Sequence, residues 1–343
     1  MKKVTSCDVA RLAGVSQTTV SFVLNNRTDI SISEKTRQKV LDAAKQLNYI
    51  SGTFSNQSKT GISKTVGLLV PNLSNLYYPM LIQSVQKHLT DEGYNLLICD
   101  TNRRETEEKY YLRFFEESGV DGIIFAFTPS DHNYANSLAK RIPMVVLGET
   151  DNRYKIDAIE LDSVTSGGLI ARHLLDLGHK NIAYITTPTN NISLSRSKRL
   201  QGIKDEIEAY GKEIEFTVKT AKFEHEVTDS AFETEIGYQL TCELLKETEI
   251  TAIIGVNDML AFGAIQAIRD NGYSVPEDIA VCGFDNLHIS KTVSPGITTV
   301  DHMISKRCHS AVTTLLDLIR NHEKEVVKIV YEPQLIIRKS TVK

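Results

Sequence analysis

The chain has 343 residues, 41% of them hydrophobic, and a formal net charge of −4; that is too long for one hydrophobic core and implies roughly two or three domains. No run of about 18 apolar residues and no basic stretch leading into an apolar segment marks a membrane span or a secretory signal, so the sequence reads as a cytoplasmic globular protein. The five cysteines, at 7, 99, 242, 282 and 308, are widely spaced and odd in number, which fits reduced core thiols better than disulfides or a zinc site. Charge is unevenly spread: residues 1–60 hold nine Lys/Arg against four Asp/Glu, a balance of +5, and the remainder carries −9. A small basic head on an acidic body fits a polyanion-binding module.

In chain order, Thr5 caps a first helix with Asp8 three residues on, and Val9, Ala10, Leu12 and Ala13 supply its apolar face. Gly14 ends that helix in the left-handed turn conformation, Val15 plugs the corner, and Ser16 caps a second helix through Thr19, Val20, Val23 and Leu24. Two helices joined so tightly make a helix-turn-helix. A third helix follows from Ser33 or Glu34 to about Leu47, with Val40, Leu41, Ala44 and Leu47 as its buried stripe. In such a motif the start of the second helix reaches base edges in the major groove, here through Gln17, Thr18 and Ser21. Gln makes a bidentate pair with adenine, and Thr offers a hydroxyl and a methyl suited to thymine. An ordinary helical hairpin also carries such residues on its solvated face; the basic balance of the head favours DNA.

Val4, Thr5, Asp8, Val9, Ala10, Ala13, Gly14, Val15, Ser16, Thr19, Val20 and Ser21 reproduce the pattern V-T-x-x-D-V-A-x-x-A-G-V-S-x-x-T-V-S, followed by "EKTRQKVLDAAKQLNY" at 34–49. On these residues the chain resembles the lactose-repressor/galactose-repressor family of bacterial transcription factors, along nearly its whole length. The resemblance implies an N-terminal all-α helix-turn-helix head (1–50), a linker or hinge (51–64) and a two-lobed α/β periplasmic-binding-protein-like core with parallel sheets (65–343). It also implies a homodimer on a pseudo-palindromic double-stranded operator, with DNA contacts from Thr5, Ser16, Gln17, Thr18, Ser21, Phe22 and Asn25. Two departures stand out. Phe22 occupies a place where the family usually has a base-reading Arg, so the operator should differ, Phe22 either packing or touching a thymine methyl. In the linker "SGTFSNQSKTGISKTVG" (51–67), Ser51, Gly52, Ser55, Asn56 and Ser58 replace the family's P-N-x-x-A-R-x-L hinge helix. No apolar wedge for the minor groove remains unless Phe54 serves, and the composition favours a flexible linker.

From Thr65 onward apolar strand patterns alternate with helical ones: "TVGLLVPN", a helix at about 79–92, "NLLICDT", a helix near 105–118, "DGIIFAF", a helix near 133–140, and "PMVVLG". A second series contains "NIAYITT", "TAIIGVND" and "IAVCGFD", and "YEPQLIIRKS" reads as a last strand. Alternation of this kind predicts parallel sheets flanked by helices. The resemblance places lobe crossings near Asp162, Asn286 and His322, giving an N-lobe of about 65–161 with 287–321 and a C-lobe of about 162–286 with 322–343. Leu81, Val85 and Leu89 form a stripe that is either interfacial or core.

No G-x-G-x-x-G follows the first strand, no G-x-x-x-x-G-K-[ST] occurs, and "SGGL" at 166–169 has neither spacing. With no G-x-S-x-G elbow or His-Glu-x-x-His pair either, no catalytic residue, cofactor or metal ligand is assigned, and the chain reads as a non-enzyme. Ligands of open α/β sheets sit beyond the carboxyl ends of strands. There the resemblance points to Asn75, Tyr77 and Tyr78 (its N-x-[YF]-[YF]), Arg199 with Gly202 (its R-x-x-G), Asn257 and Asp285, and less directly to Phe232 and His302. Tyr77 and Tyr78 are alternatively core, His302 a helix-start residue, and Asp258 reads best as a helix N-cap. The sum is a sequence-specific DNA-binding repressor whose operator affinity is set by a sugar or sugar derivative bound between the lobes. A purine effector, a protein co-regulator and a solute-binding protein are the alternatives.

Overall fold

The computed structural model describes residues 5–24, 32–47, 63–187, 194–211, 213–221, 232–321 and 325–342. Two units divide at Ser63 and Lys64. The head contains α1 (Ser6–Ala13), α2 (Gln17–Leu24) and α3 (Glu34–Gln46). Local chemistry sets their ends. The Asp8 carboxylate accepts from the Thr5 backbone N–H (2.9 Å) and hydroxyl (2.7 Å) at the start of α1. Gly14 closes that helix at φ 68°, a left-handed conformation open to glycine. Ser16 and Ser33 accept from Thr19 N–H (3.1 Å) and Thr36 N–H (3.2 Å), capping α2 and α3. Val9, Ala10, Ala13, Val20, Val23, Val40, Ala43 and Ala44 form the head's core, with Val15 packed at the corner. Leu12 and Leu41, expected inside, are 46% and 42% exposed. Each lies one residue, about 100°, away from the stripe that faces the neighbouring helices. The linker 51–62 and Asn25 lie outside the described residues, so the flexible-linker reading and the Asn25 contact have no structural counterpart here.

The body opens with β1 (Thr65–Val70), α4 (Tyr77–Asp91), β2 (Asn95–Asp100), α5 (Glu105–Ser118), β3 (Gly122–Phe125), α6 (His132–Ala139), β4 (Met144–Val146) and β5 (Asp157–Leu161). It continues with α7 (Ser163–Asp176), β6 (Asn181–Thr186), α8 (Leu194–Tyr210), β7 (Glu215–Thr220), α9 (Phe232–Glu247), β8 (Ala252–Gly255), α10 (Asp258–Asp270) and β9 (Ala280–Asp285). A single 3-10 turn (His288–Lys291) leads to β10 (Thr298–Asp301), α11 (Ile304–Arg320), β11 (Lys328–Tyr331) and β12 (Gln334–Ile336).

These strands form two six-stranded sheets, ordered β11-β5-β4-β3-β1-β2 in one lobe and β12-β10-β9-β8-β6-β7 in the other. All pairings are parallel except β10 with β12. Central strands such as β1 and β9 are buried along their length, as continuous apolar runs between two helical layers require. Leu81, Val85 and Leu89 of α4 are core residues packed with α11. Three of the five cysteines are buried; Cys7 is exposed and Cys242 intermediate, so the core-thiol reading holds for 99, 282 and 308 alone.

The lobe boundaries differ from expectation at two of three crossings. The chain leaves the first sheet between β5 and α7, at Asp162, whose carboxylate caps α7 through Thr165 N–H at 2.9 Å. It returns only after β10, which pairs with β9, so 287–301 belong to the C-lobe and not to the N-lobe. Likewise β11 pairs with β5 and joins the N-lobe, whereas β12 joins the C-lobe. The last strand expected from "YEPQLIIRKS" is therefore two strands, divided at Glu332 and Pro333, where proline supplies no ladder donor.

One buried carboxylate makes stability depend on pH. Glu108 of α5 is 3% exposed and accepts from the Ser130 hydroxyl (2.8 Å) and backbone N–H (3.1 Å). Burial outweighs those donors and pushes its pKa up to about 7. A carboxyl raised above its unfolded value contributes fully at pH below the unfolded pKa, and that contribution is lost as pH rises through about 7. Glu108→Gln is thus expected to stabilise the protein by about 3 kcal/mol at pH 8 and about 1 kcal/mol at pH 5. Denaturant unfolding at both pH values checks this; an equal shift at both removes titration of Glu108 as the cause.

Candidate functional site

On the head, Gln17, Thr18 and Ser21 are exposed along the first turns of α2, and Phe22 is half-buried. Thr5 and Ser16 are exposed residues whose side chains serve the caps of α1 and α2. Gln17 Nε2 donates to Ser6 Oγ at 2.8 Å, which fixes the direction of the amide from the start of α1. The amide keeps its second N–H and its carbonyl, the pair needed for adenine.

On the body, polar side chains converge where strands end. Asn75 follows β1, Asn257 follows β8, Asp285 closes β9, His302 follows β10 and Ser163 follows β5; all line one cleft between the lobes with Tyr77, Tyr78 and Arg199. Parallel strands deliver their C-terminal ends to the same edge, so residues far apart in sequence meet there.

At the centre, Arg199 donates to the Val256 carbonyl (2.7 Å) and lies 3.2 Å from His302 Nε2. A guanidinium only donates, so Nε2 accepts and the imidazole proton sits on Nδ1, 3.2 Å from Asp285 Oδ1. Burial, with Arg199 and Arg307 nearby, holds the His302 pKa well below its usual value, consistent with this neutral tautomer. Burial also raises the Asp285 pKa well above the usual carboxylate range, opposed by Arg199 and Arg196. The result is a relay, Arg199 to His302 to Asp285, that leaves a desolvated carboxylate in need of further donors. The Tyr77 ring stands edge-on to His302 (5.5 Å) and to Tyr78 (5.2 Å).

Glu233 is a centre that the sequence reading missed. Its Oε2 accepts from Asn75 (2.6 Å) on the N-lobe and from Asn257 (2.9 Å) on the C-lobe, and its Oε1 lies 3.2 Å from Arg196. Arg196 also donates to Thr187 Oγ1. A second tie crosses the cleft from Lys198 on α8 to Glu149, which also accepts from Ser163 N–H at 3.0 Å. Arg196 was open to inference, since it sits three residues before Arg199 on one helical face. Nothing local marks Glu149 or Glu233.

Two assignments change. Asn257 caps α10, accepting from Leu260 N–H at 3.0 Å, whereas Asp258, expected as the cap, is fully buried. Asp258 accepts from Ser290 Oγ (2.5 Å), Thr299 Oγ1 (2.6 Å) and Leu287 N–H (3.0 Å), and burial raises its pKa to about 6. Phe232, expected in the cleft, is packed in the C-lobe core at the start of α9. No group of three or more His, Cys, Asp or Glu among the described residues is arranged to hold a metal ion, and none of their helices is long and apolar enough to cross a membrane.

Comparison with known proteins places both parts. Residues 6–51 match the family described as bacterial regulatory proteins, lacI family, and residues 171–341 match the periplasmic binding protein-like domain. The chain is 33% identical to the HTH-type transcriptional regulator DegA of Bacillus subtilis, over 99% of this chain and 98% of that protein. It is 33% identical to the HTH-type transcriptional repressor PurR of Haemophilus influenzae, over 97% of each. Among solved structures, a LacI family transcriptional regulator from Enterococcus faecium with bound ribose is 28% identical, with a TM-score of 0.70 over 81% of this chain and 98% of that one.

Proposed function

Because the chain belongs to the lacI family of bacterial regulatory proteins, we propose that it is a dimeric repressor that reads its operator with α2 and answers to a sugar or sugar derivative held between the lobes. The Arg199–His302–Asp285 relay carries the effector reading. A buried carboxylate with a fixed direction and unfilled lone pairs suits vicinal hydroxyls, and Tyr77 and Tyr78 supply apolar faces for a sugar ring. The E. faecium regulator with bound ribose supports the same class. Control follows from the ties across the cleft. Asn75 to Glu233 and Glu149 to Lys198 join the lobes in the present arrangement, and an effector that prefers this arrangement over an open one shifts the population toward it. Two copies on a two-fold axis would then read two half-sites, giving a pseudo-palindrome.

Selection of bound DNA from a random pool, repeated with sugars, sugar phosphates, sugar acids and purines, tests this. The expected result is one enriched palindrome whose occupancy shifts with a sugar-type compound; a shift with purines alone replaces the sugar reading. Sedimentation as a monomer at micromolar concentration would sink the dimer. Gln17→Ala is expected to relax preference at one base position in each half-site by about 1–3 kcal/mol and leave the others in place. An unchanged selected motif removes Gln17 from base reading.

A further inference from the structure

The buried cations of the cleft differ in how their charge is met. Lys198 pairs with Glu149 and Arg196 with Glu233, while Arg199, which has no carboxylate of the described residues in ion-pair range, donates to the Val256 carbonyl and reaches Asp285 through His302; Arg103 also lines the cleft. Arg307 lines the same cleft and is 4% exposed, yet no carboxylate oxygen of the described residues lies within the 4.0 Å of an ion pair. Its neighbours are neutral acceptors: the Ile159 carbonyl at 3.2 Å and, at longer range, the Tyr77 hydroxyl at 3.4 Å and the His302 carbonyl at 3.5 Å, while Nε has no hydrogen-bond partner. The position adds to the imbalance. Arg307 lies in the first turn of α11, where the helix dipole disfavours a cation. Tyr77 does not neutralise it, because burial pushes that hydroxyl up to about 12 and keeps it protonated.

A buried guanidinium loses its hydration and regains it only from an anion or from a full set of good acceptors. One ordinary and two long neutral contacts are not such a set, and the unpartnered Nε belongs to a side chain that lines the ligand cleft. Guanidinium forks match phosphate and carboxylate oxygens in pairs. We propose that the effector is an acidic sugar, whose phosphate or carboxylate group seats on Arg307 while its hydroxyls meet Asp285. This rests on the sugar reading above and narrows it from sugars in general to those bearing an acid.

The test uses the full chain and two readouts. In the first, thermal unfolding is followed with inorganic phosphate at constant ionic strength. Phosphate is expected to raise the melting temperature saturably in the wild type and in the surface control Arg320→Gln, and not in Arg307→Gln. In the second, calorimetric titration compares each of several pentoses and hexoses with its own phosphate and its own aldonic acid. The acidic member of the productive set is expected to bind about 10- to 100-fold more tightly than the neutral one, the range of a charge-assisted contact. Arg307→Gln should bring that ratio to about one, and Arg307→Lys, which keeps the charge without the fork, should keep part of it. Whether phosphate or aldonate carries the preference identifies the acid. Neutral sugars binding as tightly as acidic ones, or a preference that survives in Arg307→Gln, overturns the acid site and leaves the sugar reading standing. Binding of no sugar, acidic or neutral, overturns the sugar reading and with it the acidic-sugar proposal; the phosphate readout then decides separately whether Arg307 is an anion site.

Discussion

Gly202→Ala is expected to destabilise the protein by about 3 kcal/mol and to weaken effector binding at the same time, although alanine in a helix interior ordinarily gains about 1 kcal/mol over glycine. A Cβ at Gly202 would lie 1.9 Å from the Val164 carbonyl oxygen, and one at Gly167 would lie 2.0 Å from the Arg199 carbonyl oxygen. Both obstacles are backbone atoms, so no side chain can turn aside; α7 and α8 must separate. Separation uncovers Ile170, Ala171 and Ile203, all fully buried. It also moves Arg196 and Arg199, which α8 carries toward Glu233 and His302. Gly168 is the control: a Cβ there meets nothing closer than 3.7 Å, so Gly168→Ala should be neutral or stabilising. Urea unfolding and effector titration of the two variants check the argument. A Gly202→Ala midpoint at or above that of the wild type would show that the helices part at no cost.

Asp285 should make effector affinity depend on pH with a definite sign. In the free protein burial holds its pKa well above the usual range. On the proposed sugar reading, hydroxyls donating to the ionised carboxylate favour that form, so binding lowers the pKa and releases a proton. Affinity therefore rises with pH, by up to about tenfold per unit between the bound and free pKa values, and levels off above the free value. Asp285→Asn removes the titrating group and one acceptor together. It is expected to flatten the pH profile and lower the plateau affinity by about 2–5 kcal/mol, the cost of truncating one partner of a buried charged contact. Titration calorimetry in two buffers of different ionisation enthalpy reports the proton directly. With a neutral sugar as ligand, an affinity that falls with rising pH, or a slope that persists in Asp285→Asn, would assign the titration elsewhere.

Much of this was legible in the residues. Thr5 with Asp8, Gly14, Ser16 and Ser33 place the helix ends of the head within a few residues, because capping is settled by contacts three positions apart. Strands such as β1, β6 and β9 announce themselves as apolar runs because both of their faces are covered. Seven of the eight residues that the resemblance singled out for the cleft line it, and four of them, Asn75, Asn257, Asp285 and His302, lie at or just beyond strand ends, where ligands of α/β sheets sit. Phe232 failed because a residue beside a cleft and a residue under it look alike in sequence.

What the sequence by itself determined is thus the local grammar: which segments are helix or strand, where helices start, and which strand ends carry polar side chains. Only the tertiary structure decided partnership. The strands β10, β11 and β12 gave no local sign of their lobe, because a short strand's side chains do not encode which edge its backbone will pair with. Between Asn257 and Asp258, two equally good caps, the choice fell to Ser290 and Thr299, more than thirty residues on, which hold the Asp258 carboxylate in the core. The arrangement that gives Arg307 only neutral acceptors is of the same kind. Electrostatic balance is a property of what surrounds a group in three dimensions, and folding alone assembles those surroundings.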